Sequence, residues 1–240
     1  MDTPSSVALS GQVARQRQMD VIANNVANLS TVAFKAEEMD FATFVSGATG
    51  QRVSYVEDAG TVRDWSQGPL TRTGNSLDVA LQGSGFLEVD TPNGTRYTRD
   101  GRLKLDSSGQ LVTLDGEAVL GDSEQPITVP SGSGMITIGQ DGSVSTQSGG
   151  TVGRLAMVDF DDEQSLVAES DGQYSTDEIP NPASPDTKLI QGMIEGSNVQ
   201  PVLEITRLMA AARAVGMAKT FQDGESDRHK NAIDRLAKVV

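Results

Sequence analysis

The chain has 240 residues and a formal net charge of −14, with 37% hydrophobic and 4% aromatic residues and no cysteine. Disulfides and thiolate metal sites are thereby excluded, and a nucleic-acid partner is not expected, because phosphate neutralisation needs basic clusters that are missing here. No apolar run approaches the roughly 20 residues needed to cross a bilayer, so no direct membrane insertion is expected, and residues 1–10 lack the basic segment and apolar block of a cleaved secretory signal.

The charge is unevenly placed. Residues 1–45 sum to −2 and residues 200–240 to +2, which leaves −14 on the middle. An acidic middle suits a solvated face, whereas nearly neutral ends with small residues can pack closely against copies of themselves.

From Ser5 to about Asn28 helix breakers are few, and Met19, Ile22, Val26 and Leu29 recur at intervals of 3, 4 and 3. Leu9 and Val13 begin a slightly rotated stripe. This spacing predicts an amphipathic helix with a seam for another helix. Asn24, Asn25 and Asn28 compete with the backbone for hydrogen bonds and mark its last turns, either as a frayed end or as buried amides that set lateral register. Phe34, Phe41 and Phe44 read as pins for a turn, and Ser46 to Gly50 as a flexible connector. The expected organisation is an assembly helix and turn over 1–45, a connector over 46–72, a central β-domain over 73–190 and a second assembly helix over 191–240.

Between about Val53 and Leu189 the hydrophobic period changes to two. Leu77, Val79 and Leu81 alternate with Asp78, Ala80 and Gln82, and Phe86 to Val89 continue the pattern. Asn93-Gly94, Asp100-Gly101, Ser108-Gly109 and Asp115-Gly116 then predict closely spaced hairpin turns, hence a mainly antiparallel meander.

The last segment opens with Glu195-Gly196-Ser197-Asn198-Val199 and Pro201, a capping pattern for a helix start. Val202, Ile205, Met209, Ala212 and Gly216 repeat at 3, 4, 3 and 4, while Leu208 and Val215 widen the stripe. Asp223-Gly224-Glu225 is expected to weaken the helix locally. The fold class is therefore α+β, with terminal helices paired as a coiled-coil-like layer beside a central antiparallel β-domain. Each helix alone is too narrow to make a core, so each must pack on the other or on neighbouring copies.

Residues for chemistry are sparse. His229 lies among Asp227, Arg228 and Lys230 with no nucleophile to pair with, and reads as an exposed helical histidine. The glycines at 83–85 and 131–134 lack the lysine-hydroxyl pair of a phosphate loop and the third glycine of a dinucleotide fingerprint. Asp159, Asp161, Asp162 and Glu163 make an oxygen-ligated Ca²⁺ site conceivable, but without EF-hand spacing a solvated loop is the better reading. No catalytic residue, cofactor or metal is expected.

The segment from Leu9 to Lys35, with Gln16-Arg17-Gln18-Met19-Asp20 and Ala23-Asn24-Asn25-Val26-Ala27-Asn28, resembles the N-terminal signature of the bacterial flagellar rod and hook family. Glu195 to Val199, Val202 to Met209, and Thr73 to Phe86 followed by Tyr97 to Gly101 resemble the family's other conserved stretches, so the resemblance spans nearly the whole chain. Ala33 stands where the family usually has glycine before Phe-Lys. The resemblance implies an assembly surface over Leu9, Val13, Met19, Ile22, Asn24, Asn25, Val26, Asn28, Phe34, Lys35, Ser197, Asn198, Val202, Ile205, Leu208, Met209, Ala212 and Val215. It also implies partners in other rod proteins and copies of itself, export by the flagellar type III apparatus, and a place in the basal-body rod of the periplasmic space. Length and the opening segment look most like the proximal-rod members, with a distal-rod or hook paralogue as the alternative. From a different class, an extracellular β-rich adhesin would want an exposed aromatic patch, whereas Trp65, Tyr55, Tyr97 and Tyr174 are scattered along the sequence.

Overall fold

A computed structural model describes residues 3–46 and 53–237. The chain divides into two compact units, one drawn from 1–28, 37–64 and 199–240, the other from 29–36 and 65–198.

The first unit holds helix α1 (Thr3–Ala27), strands β1 (Glu37–Ser46) and β2 (Val53–Arg63), and helix α2 (Pro201–Ala237). A lone two-stranded hairpin is marginal in water. Here α1 lies against both strands and against α2. The hairpin runs in register from Glu37 opposite Arg63 to Ser46 opposite Val53, with one irregularity after Asp40, and Glu37 is ion-paired to Arg63. This differs from the expected turn and connector: residues 37–46 are strand, and 53–63 of the 46–72 segment form its partner. Met39, Phe41, Thr43 and Val45 alternate with Asp40, Ala42 and Phe44, a period of two that Phe44, a phenylalanine in the other set, obscures in the sequence. Residues 47–52 of the expected connector lie outside the described residues.

Helix α2 starts with proline at its first turn, where no backbone donor is lost, and the Glu204 N–H bonds back to the Gln200 carbonyl at 3.0 Å. It continues through Asp223-Gly224-Glu225 without a break. One interior glycine costs about 1 kcal/mol relative to alanine, too little to end so long a helix.

The second unit is almost entirely antiparallel β-structure. In chain order it contains β3 (Leu70–Arg72), β4 (Val79–Gln82), β5 (Phe86–Thr91), β6 (Gly94–Thr98), β7 (Leu103–Leu105), β8 (Leu111–Thr113), β9 (Ala118–Val119), β10 (Ile136–Ile138) and β11 (Ser143–Thr146). There follow β12 (Gly150–Arg154), β13 (Met157–Asp159), β14 (Val167–Ala168), β15 (Gln173–Ser175), β16 (Asn181–Pro182), β17 (Lys188–Gln191) and β18 (Met193–Glu195). The largest sheet has the order β14-β15-β6-β5-β9-β8-β7, with β13 joining β5 to β16; β10-β11-β12 form a separate meander. Two short ladders, β4 with β17 and β3 with β18, bring the beginning and end of the unit side by side.

The expected turns at Asn93-Gly94, Ser108-Gly109 and Asp115-Gly116 connect β5 to β6, β7 to β8 and β8 to β9. Their glycines have φ of 101°, 83° and 96°, the left-handed region that glycine enters without a Cβ penalty. Asp100-Gly101 behaves differently. The Val79 N–H donates to the Gly101 carbonyl at 2.9 Å, and any Cβ at Gly101 would overlap the Val79 carbonyl. Close backbone approach, not a hairpin, requires that glycine.

Neighbouring residues of β5 feed two cores, as strand alternation demands. Leu87 and Val89 join Val79, Leu81, Leu111, Val119, Val144, Leu155 and Leu189 in an aliphatic cluster. Phe86 instead joins Tyr97, Phe160, Leu166 and Tyr174, with Trp65 packed against them. Ring centroids of Trp65 lie 5.0 Å from Tyr174 and 5.4 Å from Phe86. Aromatic residues that look scattered in the sequence thus gather inside one unit, and Tyr97 and Tyr174 are not part of an exposed patch.

Candidate assembly surface

Within the first unit, the expected site residues separate into covered and exposed sets. On α1, Ile22 and Asn25 are buried, Met19, Val26 and Asn28 half-buried, and Val13 and Asn24 exposed. Asn24 and Asn28 act locally: the Asn28 amide donates to the Asn24 carbonyl at 3.0 Å and closes the end of the helix. Asn25 acts at long range. Its Nδ2 donates to the Glu37 carbonyl at 2.8 Å and to Glu204 Oε2 at 3.4 Å, while its Oδ1 accepts the Glu37 N–H at 2.9 Å. One side chain thereby ties α1, β1 and α2 together.

Helix α2 turns a different face inward from the one its apolar spacing suggests. Glu204 and Ala211 are buried, and Leu208 and Val215 half-buried, at intervals of 4, 3 and 4. Leu208 and Val215 were expected only to widen the stripe, and Glu204 was not expected inside at all, since apolar periodicity cannot detect a carboxylate at a core position. Its burial is satisfied by Asn25 and by Arg207, whose Nη1 lies 2.9 Å from Glu204 and 2.8 Å from Glu38. The bond to Glu38, then the charges of both glutamates, raise the Arg207 pKa, so it stays cationic.

The expected seam of Val202, Ile205, Met209 and Ala212 therefore faces solvent. Val202 is 80% exposed, Met209 59% and Met217, further along the helix, 68%. Apolar side chains repeated along one helix face form a stripe of a kind soluble monomers seldom leave open. The side chains of Leu9, Phe41, Phe44, Tyr55 and His229 lie outside the described residues.

The second unit contains a buried charge cluster. Lys35 and Glu195 have fully buried side chains, and that of Arg99 is 3% exposed. Lys35 Nζ donates to Glu195 Oε1 at 2.7 Å, to the Ser66 carbonyl at 2.7 Å and to the Trp65 carbonyl at 3.4 Å. Arg99 Nε meets Glu195 Oε2 at 3.0 Å, and its two other nitrogens donate to the carbonyls of Gly85 and Gly83 at 2.7 and 2.9 Å. The Gly68 N–H completes the shell of Glu195 Oε1 at 2.9 Å. A lysine with three acceptors and no solvent contact is no base or nucleophile; these charges hold backbone. Around the cluster, Phe34 and Asn198 are half-buried and Ser197 is buried. The Asn198 side chain accepts the Ala36 N–H at 2.7 Å and donates to the Ser66 carbonyl at 3.0 Å, and the Ala33 N–H reaches the Glu195 carbonyl at 2.8 Å. Arg99 and Glu195 were not expected as site residues. In sequence Glu195 only opens a capping motif, and nothing near it discloses partners 96 and 160 residues away.

The acidic loop is spent on its own folding. Asp159 accepts the Ser84 hydroxyl at 2.6 Å, and Asp162 caps a short 3₁₀ turn through the Gln164 N–H at 3.0 Å. Among the described residues, no three His, Cys, Asp or Glu side chains converge as a metal site.

Lys35, Arg99 and Glu195 thus bond to one another and to the backbone of residues 65–68 and 83–85, tying distant segments of the chain together. Comparison with known proteins gives the family. The family model described as flagella basal body rod protein matches residues 6–35, that of the flagellar hook protein FlgE/F/G D1 domain residues 80–146, and that of the flagellar basal body rod FlgEFG protein C-terminal residues 190–218. The flagellar basal-body rod protein FlgF of Caulobacter vibrioides is 38% identical, with 100% of both chains covered, and FlgF of Rhizobium meliloti is 33% identical over 98% of both. FlgG of Bacillus subtilis is 32% identical, covering 85% of this chain and 88% of its own. The chain belongs to the flagellar basal-body rod and hook family. Lys35, Arg99 and Glu195 fall one in each of the three matched stretches.

Proposed function

We propose that the chain is a proximal-rod subunit that polymerises through its terminal helices, with copies of itself and other rod proteins, into the shaft that transmits torque in the basal body. The observation that carries this reading is the open stripe of Val202, Ile205 and Met209 along α2. Such a face gains its hydrophobic free energy only when neighbours cover it, roughly 1.5–3 kcal/mol for each large side chain fully buried. The coiled-coil-like layer of the sequence reading is then completed between subunits. Delivery by the flagellar type III apparatus to a rod in the periplasmic space belongs to the same proposal and is supported by family membership. The proximal position is supported by end-to-end similarity to FlgF; the FlgG relatives favour a distal-rod subunit as the second reading.

The test is Ile205→Asp, separately and with Met209→Asp. Trp65 emission should be unchanged, because the tryptophan lies in the other unit, while the subunit disappears from purified basal bodies and motility is lost. Normal incorporation with both charges in place would overturn the proposal.

A further inference from the structure

We infer that Lys35, Arg99 and Glu195 form a closure latch that engages last in folding and keeps the β-unit incomplete until the segment just before α2 arrives. The latch does not depend on the rod assignment.

The argument starts from chain separation. The β5–β6 turn closes between Thr91 and Gly94, whereas Glu195 must find Arg99 across 96 residues, Gly68 across 127 and Lys35 across 160. Closure entropy grows with loop length, so local hairpins form ahead of these contacts. Chemistry sharpens the order. Removing a charge from water is repaid only when its partners and hydrogen bonds are all in place, so a half-built cluster is worse than none. Lys35 and Arg99 are two cations that share one buried anion. Without Glu195 they would be left in a site walled by Phe86, whose ring centroid lies 5.8 Å from the Arg99 guanidinium carbon. Burial, then the charge of Asp159, raises the pKa of Glu163, while the positive charges of Arg99 and Lys35 act against that rise.

Position gives the latch its use. Glu195 is followed closely by α2, so nearly all of the β-unit has been made before the anion is present. The early sheet can form hairpins, yet the strands β17 and β18 and the charge closure all come from residues 188–195. A chain emerging from its N-terminus is therefore held short of its final state until that segment is free.

The test uses the full chain and the fluorescence of Trp65, the sole tryptophan, in urea folding and unfolding kinetics. Glu195→Gln, which leaves two buried cations without their anion, should accelerate unfolding on the order of 10²–10³-fold while changing the refolding rate by less than about threefold. Asn198→Ala removes neutral bonds between the same segments and should accelerate unfolding about fivefold, again sparing refolding. Refolding slowed in proportion to the lost stability, or kinetics unchanged in both variants, overturns the latch. If Glu195→Gln does not fold, the refolding limb of Asn198→Ala decides alone.

Discussion

Asn25 and Glu37 exchange two hydrogen bonds, the asparagine amide giving one to the Glu37 carbonyl at 2.8 Å and taking one from the Glu37 N–H at 2.9 Å. The pair copies a strand ladder with a side chain, so the end of α1 fixes where β1 begins. Truncation strands two backbone groups of Glu37 and one oxygen of Glu204. Asn25→Ala should cost about 2–3 kcal/mol in urea unfolding followed by far-UV circular dichroism. Asn25→Asp should cost more, since it exchanges a donor for a carboxylate beside Glu204. A loss under about 0.5 kcal/mol for Asn25→Ala would show that the register is set elsewhere.

Ala33 occupies φ of +58° and is buried. The left-handed region costs an L-residue roughly 1–2 kcal/mol, while glycine adds about 0.5–1 kcal/mol of unfolded-state entropy relative to alanine. Ala33→Gly should therefore be neutral or stabilising by up to about 1 kcal/mol, the reverse of the usual effect. Thermal unfolding read at Trp65 measures it; a loss beyond about 1 kcal/mol contradicts the strain.

Burial, followed by the charge of Glu124, raises the pKa of Glu88 above its ordinary value of 4.5. A raised carboxyl binds its proton more tightly in the folded state. Its stabilising contribution is full below 4.5 and is lost as pH climbs through the raised value. Glu88→Gln should thus unfold at higher urea than the parent at pH 7, the gap closing as pH falls from the raised value to 4.5. Equal midpoints at pH 7 would refute the desolvation cost.

A Cβ placed on Gly68 would overlap the carbonyl oxygen of Gly196. The same stretch supplies the N–H that bonds Glu195, so the backbone cannot retreat without loosening that carboxylate. Gly68→Ala should cost roughly 1–3 kcal/mol, read as an earlier urea midpoint of Trp65 emission. Gly216→Ala is the control: nothing lies within 4 Å of its added methyl, and alanine favours helix, so stability should hold or rise.

Features carried by local patterns were legible in the sequence. Apolar spacing marked both helices, and three of the four glycine turn pairs connect strands as expected. Contacts between distant segments were hidden. Glu204 is inside because Asn25 and Arg207 meet it, and Glu195 because Lys35 and Arg99 do; in sequence each is an ordinary acidic residue. The inward face of α2 was displaced for the same reason, since counting only apolar residues selects Val202 and Ile205 over Glu204. Burial is decided by partners, and periodicity sees only the residue itself.

The ladders of β3 with β18 and β4 with β17 set Arg72 opposite Met193 and Gln82 opposite Lys188. Everything between those rungs leaves and returns at one clasp. Material can be added to or trimmed from the loops of that cassette without shifting the clasp, so kindred chains of unequal length can keep identical fittings at their ends while varying what hangs between them.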